Sequence, residues 1–101
     1  MNNDRIYSVY EIKLKLAPIA EKYEVNSILL IGSYARGDAN SESDIDLVIE
    51  KGKPMGFLFA SMSLELEEIF GKKVDLLDIE TVKDSLIRNA TKNGVIVYEK
   101  A

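Results

Sequence analysis

The sequence predicts one small α/β (α+β) domain, a four-stranded mixed sheet with helices packed on it. Short β-rich apolar runs alternate with stretches of helical period from one end of the 101 residues to the other. No linker, repeat or low-complexity segment separates them, so residues 1–101 read as a single domain with one core. The strand, helix and strand between Ile45 and Ile79 have the length of a right-handed parallel crossover.

Ser8 and Glu11 have capping-box spacing, and Val9, Ile12, Leu16, Ile19, Ala20 and Tyr23 recur behind them at helical intervals. Pro18 is expected to kink this helix or divide it near Leu16. Val25 to Ile31 reads as a buried strand, Ser33 to Gly37 as one helical turn, and Asp38 to Ser43 as a polar loop. Ile45 to Ile49 is a second strand, stopped by Lys51-Gly52-Lys53-Pro54. Apolar positions 55, 58, 59, 62, 66, 69 and 70 mark an amphipathic helix closed by Gly71, with Phe57, Phe59, Met62 and Phe70 as core. Lys72-Lys73 reads as a solvated pair before a third strand, Lys73 to Ile79, with Asp78 belonging to the following loop. Thr81 and Asp84 open a last helix carrying Val82, Leu86, Ile87 and Ala90 inward. Asn93-Gly94 ends it, and Val95 to Tyr98 forms the final strand.

Composition removes whole classes of chemistry. The chain has neither cysteine nor histidine, which excludes disulfides, thiolate metal sites, a Cys nucleophile, a Ser-His-Asp triad and an imidazole base. Catalysis must come from carboxylates, hydroxyls, amines, backbone groups or an oxygen-ligated metal. Thirteen Lys+Arg against seventeen Asp+Glu give a net charge of −4, which argues against direct nucleic-acid binding through phosphate contacts. A nucleotide as a small substrate remains open, because a bound cation reverses the sign of a local site. The apolar runs are far too short to cross a bilayer, and the N-terminus has no secretory pattern, so a cytoplasmic location is expected.

The stretch Gly32-Ser33-Tyr34-Ala35-Arg36-Gly37 to Ser43-Asp44-Ile45-Asp46-Leu47 carries the chemistry. Gly32 and Ser33 stand where a strand enters a helical turn; a missing Cβ lets a phosphate approach the outward-pointing N–H groups. Asp44 and Asp46, two apart at a strand start, project to one side. Two such like charges repel, and burial adds a desolvation cost to each unless a cation compensates. Asp75 interrupts an apolar strand, flanked by Val74, Leu76 and Leu77. If the second and third strands are parallel, Asp75 comes beside Asp44 and Asp46. A first strand antiparallel to the second brings Gly32-Ser33 to the same edge. Hard oxygen ligands of this type suit Mg²⁺ or Mn²⁺.

Gly32-Ser33, ten residues, Asp44-Ile45-Asp46 and then Asp75 resemble the signature of the polymerase-β-type nucleotidyltransferases. The finer wording, Gly-Ser-Tyr-Ala-Arg-Gly and Ser-Asp-Ile-Asp-Leu, is similar to the minimal nucleotidyltransferase (MNT) antitoxin subgroup, over nearly the whole chain. The resemblance implies that Asp44 and Asp46 bind two Mg²⁺ ions and that Asp75 binds the ion on the nucleophile side and draws the proton from the attacking hydroxyl. It implies that Gly32 and Ser33 hold the β- and γ-phosphates of ATP, the substrate. Arg36 either supports the triphosphate or a partner, or pairs with Asp38 or Glu42 at the surface.

Proteins of this subgroup act as antitoxins and transfer AMP to a tyrosine of a HEPN-domain RNase toxin, so a hetero-oligomer with such a toxin is implied. Two alternatives stand beside this reading: a non-catalytic toxin-binding module, and a small-molecule nucleotidyltransferase of the aminoglycoside-modifying kind.

Overall fold

In a computed structural model of the chain, residues 3–81 and 92–101 are described. Helix α1 spans Val9–Lys22 and is started by a complete capping box: the Glu11 N–H donates to Ser8 Oγ at 3.1 Å and the Ser8 N–H donates to Glu11 Oε1 at 2.9 Å. Pro18 lies inside this helix, which is not divided; of the two outcomes expected from sequence, division does not occur. The carbonyl it leaves without a donor belongs to Leu14, an exposed residue, so water can take the place of the missing N–H.

Strand β1 (Ser27–Ile31) runs directly into the short helix α2 (Gly32–Arg36), and β2 (Ile45–Glu50) follows the polar loop. Strand β1 starts two residues later than the sequence suggested, because Glu24 adopts φ 56° and the Val25 N–H still donates to Ala20 O. Helix α3 (Phe57–Phe70) ends at Gly71 in the left-handed region, then come β3 (Val74–Asp78) and β4 (Val95–Glu99). The expected last helix falls on residues 82–91 and lies outside the described residues.

The sheet order is β3-β2-β1-β4. Strand β1 is antiparallel to β2 and β4, whereas β2 and β3 are parallel, as a crossover through α3 requires. The core lies between one sheet face and helices α1 and α3, with Ile28, Leu30, Ile45, Leu47 and Ile49 facing Leu16, Met62, Leu66 and Phe70. Phe57 departs from the expected core set: as the first residue of α3 it is 95% exposed. No helix among the described residues is long and apolar enough to cross a membrane.

Two sequence-based assignments at the strand ends are corrected. Asp78 is the last residue of β3 and is buried, its carboxylate 2.9 Å from Lys51 Nζ and accepting the Glu80 N–H at 3.0 Å. Burial pushes the Asp78 carboxyl up, but Lys51 and the Glu80 N–H outweigh it and hold the group below its usual value. A lowered carboxyl stabilises the fold above its ordinary range, and that contribution is lost as pH falls through the lowered value. Lys51→Met leaves the Asp78 carboxylate without its cation and is expected to lower the melting temperature at pH 7. A melting temperature unchanged at pH 7 would contradict this. The second correction is Lys72, buried at 1% exposure rather than solvated, with its ammonium on backbone carbonyls.

Candidate active site

The parallel register sets Asp46 directly opposite Asp75, and the antiparallel register sets Ile31 opposite Asp46. The C-terminal end of β1 and the N-terminal ends of β2 and β3 therefore meet at one sheet edge. Asp46 sits in the middle, with Gly32 on one side and Asp75 on the other. Its side chain is on the sheet face that α1 and α3 leave uncovered, since Ile45 and Leu47 take the core face.

Gly32 is required here twice over. Its φ of +75° is one that L side chains rarely adopt, and an added Cβ would stand 2.5 Å from Asp46 Oδ2. The missing side chain is thus space occupied by the Asp46 carboxylate. Beyond Gly32, the first N–H groups of α2 have no acceptor within a helix this short, and Ser33 is the second residue of that turn. Tyr34 is buried in the core and anchors the turn from beneath. Arg36 lies with its Nε 3.4 Å from Asp38 Oδ2, both side chains more than half exposed, a pair too weak to hold the guanidinium in place.

The carboxylates do not share their charge evenly. Asp46 is pushed up to about 6 by its burial first, then by contact with the Asp75 carboxyl, and last by the negative charge of Asp44. Lys73 opposes the shift. Lys73 is solvated, as expected from sequence, and its ammonium stands 3.9 Å from Asp44 and 3.6 Å from Asp75. Asp75 stands directly opposite Asp46 in the ladder, whereas Asp44 acts on Asp46 through charge. As the side chains stand, no group of three or more carboxylates among the described residues is closed tightly enough to hold an ion.

The donor set nonetheless fits a hard divalent cation. All its ligands are carboxylate oxygens, and burial together with the neighbouring Asp75 and Asp44 raises Asp46 in spite of Lys73. A cation between them would turn their repulsion into attraction. Lys73 was legible in principle, because it is two residues before Asp75 and so shares its strand face.

Comparison with known proteins agrees with this geometry. Residues 14–101 match the family model described as polymerase beta, nucleotidyltransferase. A chain of Methanocaldococcus jannaschii, provisionally named a protein adenylyltransferase, is 36% identical over 88 residues, covering 82% of this chain and 95% of that one. The protein adenylyltransferase MntA of Thermococcus cleftensis is 29% identical over 80 residues, covering 78% and 81%. Among solved structures, the tri-AMPylated Shewanella oneidensis HEPN toxin in complex with MNT antitoxin contains a chain of the same fold. That match has a TM-score of 0.68 at 17% identity and covers 88% of this chain and 71% of that one. With its strand order, its glycine-borne turn and its paired acids accounted for, the chain belongs to the polymerase-β nucleotidyltransferase family and is a nucleotidyltransferase enzyme.

Proposed function

We propose that this nucleotidyltransferase moves AMP from ATP to a tyrosine hydroxyl of a cognate HEPN-type RNase toxin, and so acts as its antitoxin. The observation that carries the reading is the direct pairing of Asp46 with Asp75 beside the Gly32 turn, which joins a crowded carboxylate pair to a glycine whose missing Cβ makes room for the Asp46 carboxylate. The names of its relatives support the acceptor class: protein adenylyltransferases, and an MNT antitoxin bound to an AMPylated toxin.

Asp44, Asp46 and Asp75 would hold Mg²⁺ (two ions, or Mn²⁺ in their place). When bound, the metal supplies Lewis-acid charge to the triphosphate and lowers the energy of developing negative charge. The backbone N–H groups of Gly32 and Ser33 would orient the β- and γ-phosphates, with Arg36 near enough in sequence to add a positive charge. The tyrosine oxygen attacks the α-phosphorus and its proton passes to Asp75. The bond from the α-phosphorus to the bridging oxygen breaks, and pyrophosphate leaves with that electron pair. AMP on the toxin adds bulk and negative charge, which would repel an RNA substrate.

The test incubates the chain with toxin, labelled ATP and Mg²⁺ and weighs the toxin by intact-protein mass spectrometry. AMP adducts are expected with the wild-type chain, with a loss of at least ~10²-fold in rate for Asp44→Ala, a larger loss than outer-shell substitutions cause. Neutralisation of an unmodified toxin, surviving Asp44→Ala, would instead select the binding-module reading. Label appearing on hydroxylated small molecules and not on toxin would select the small-molecule one.

A further inference from the structure

Lys72 is a buried lysine that the reading of the site does not use. Its side chain is 1% exposed, and its Nζ donates to Ser41 O at 2.8 Å and to Asn3 O at 2.9 Å. Among the described residues it makes no ion pair. Burying an ammonium costs several kcal/mol unless its donors are satisfied, and a methionine of similar length would fill the same space without that cost. Its reason therefore lies in what it holds.

Ser41 belongs to the loop between α2 and β2, which delivers Asp44 to the sheet edge. Within residues 39–43 the other hydrogen bonds close the loop on itself: Ser43 N–H to Asn40 O, Glu42 N–H to Asn40 Oδ1, and Asn40 N–H to Ser43 Oγ. Among the described residues, the bond from Lys72 to Ser41 is the one that ties this self-closed turn to the body of the protein. The Ala39 methyl adds a contact with the core, which resists lifting but does not fix orientation. The far end of the anchor is firm: the Asn3 N–H donates to Gly71 O at 2.8 Å and Asn3 Nδ2 to Phe70 O at 2.9 Å.

We infer that Lys72 is a positioning residue for the active site: by gripping the Ser41 carbonyl it fixes the 39–43 loop and with it the place of Asp44 relative to Asp46 and Asp75. This rests on the metal-binding reading of those three acids. Adjacent lysines then divide the work by strand parity. Lys72, in line with Val74, points inward and holds the loop, while Lys73, in line with Asp75, points outward to the acids.

The test is Lys72→Met in the full chain, with Mn²⁺ alone as the probe, titrated by calorimetry well below the variant's melting temperature. The Mn²⁺ dissociation constant is expected to rise ~10-fold or more, in the range seen when an outer-shell partner of a metal ligand is lost. Amide exchange at Glu42 and Ser43 should quicken at least as much. An unchanged dissociation constant and unchanged exchange in a folded variant would overturn the inference, since a lysine that only packs moves melting temperature alone.

Should the variant not fold, or the wild-type chain not bind Mn²⁺, the wild-type chain decides by a second measurement. Lys72 acetylation by an amine-reactive ester and exchange at Glu42 and Ser43 should then report one common opening. Rapid exchange in the loop while Lys72 stays protected would overturn the inference. Failure of wild-type Mn²⁺ binding with loop and lysine opening together would instead sink the metal reading and leave Lys72 as the loop's anchor.

Discussion

Asp46→Asn is expected to abolish adenylyl transfer while raising the melting temperature of the metal-free protein near neutral pH. The loss of transfer, at least ~10²-fold, follows from removing the acid that stands opposite Asp75 and abuts the Gly32 turn. The gain in stability follows from linkage. Burial and Asp75 raise Asp46 from 3.8 to about 6, so the folded state prefers the protonated form. The stability this provides is complete below the unfolded value and is lost as pH rises through about 6. Asparagine carries no such penalty. Because Asp46 is only partly buried, solvent screening reduces the gain to ~1–2 kcal/mol, about 5 °C or more in a domain of this size. Melting curves without divalent ions at pH 4 and pH 8 check it: the variant should gain at pH 8 and not at pH 4. Equal melting temperatures at pH 8 would show that the acids are not crowded as described.

Gly32→Ala is expected to damage both stability and transfer. Holding a non-glycine residue at φ +75° costs ~1–2 kcal/mol, and the new Cβ would also stand 2.5 Å from Asp46 Oδ2, so the carboxylate must move. A displacement of about 1 Å in a reacting constellation costs ~10²-fold in rate, even where the protein still folds. The two parts separate in a double variant. In an Asp46→Ala background the clash is gone and only backbone strain remains, so the stability cost of Gly32→Ala should shrink measurably. A cost identical in both backgrounds would mean that the glycine serves the backbone alone.

Much of this site was written in the local pattern. The parallel crossover between Ile45 and Ile79 and the short connection from Ile31 to Ile45 are enough to bring Gly32, Asp46 and Asp75 to one edge, and the observed ladders have those directions. The misses share a cause. Lys72 and Asp78 were judged by residue type, which favours solvent for charged groups. Strand parity would have placed Lys72 in line with Val74 on the core side and Lys73 with Asp75. Nothing local could show that Lys72 would find carbonyls from Asn3 and Ser41, sixty-nine and thirty-one residues away. Phe57 fails for the converse reason: an apolar side chain was assumed inward, but helix phase at the first turn of α3 leaves it in water. Pro18 was weighed by its own rule without the exposed position of Leu14, the residue four before it, where water can reach the helix.

The pairing of Asp46 with Asp75 has a consequence for how the chain finds its fold. A slip of one residue between β2 and β3 would turn Asp75 toward Met62 and Leu66 and send Leu76 to water, since neighbouring strand positions face opposite ways. The misaligned ladder would bury an acid among hydrocarbon, a greater penalty than the native crowding. The same acids that weaken the finished protein thus penalise its nearest wrong alignment, and act as proofreading marks during assembly of the sheet.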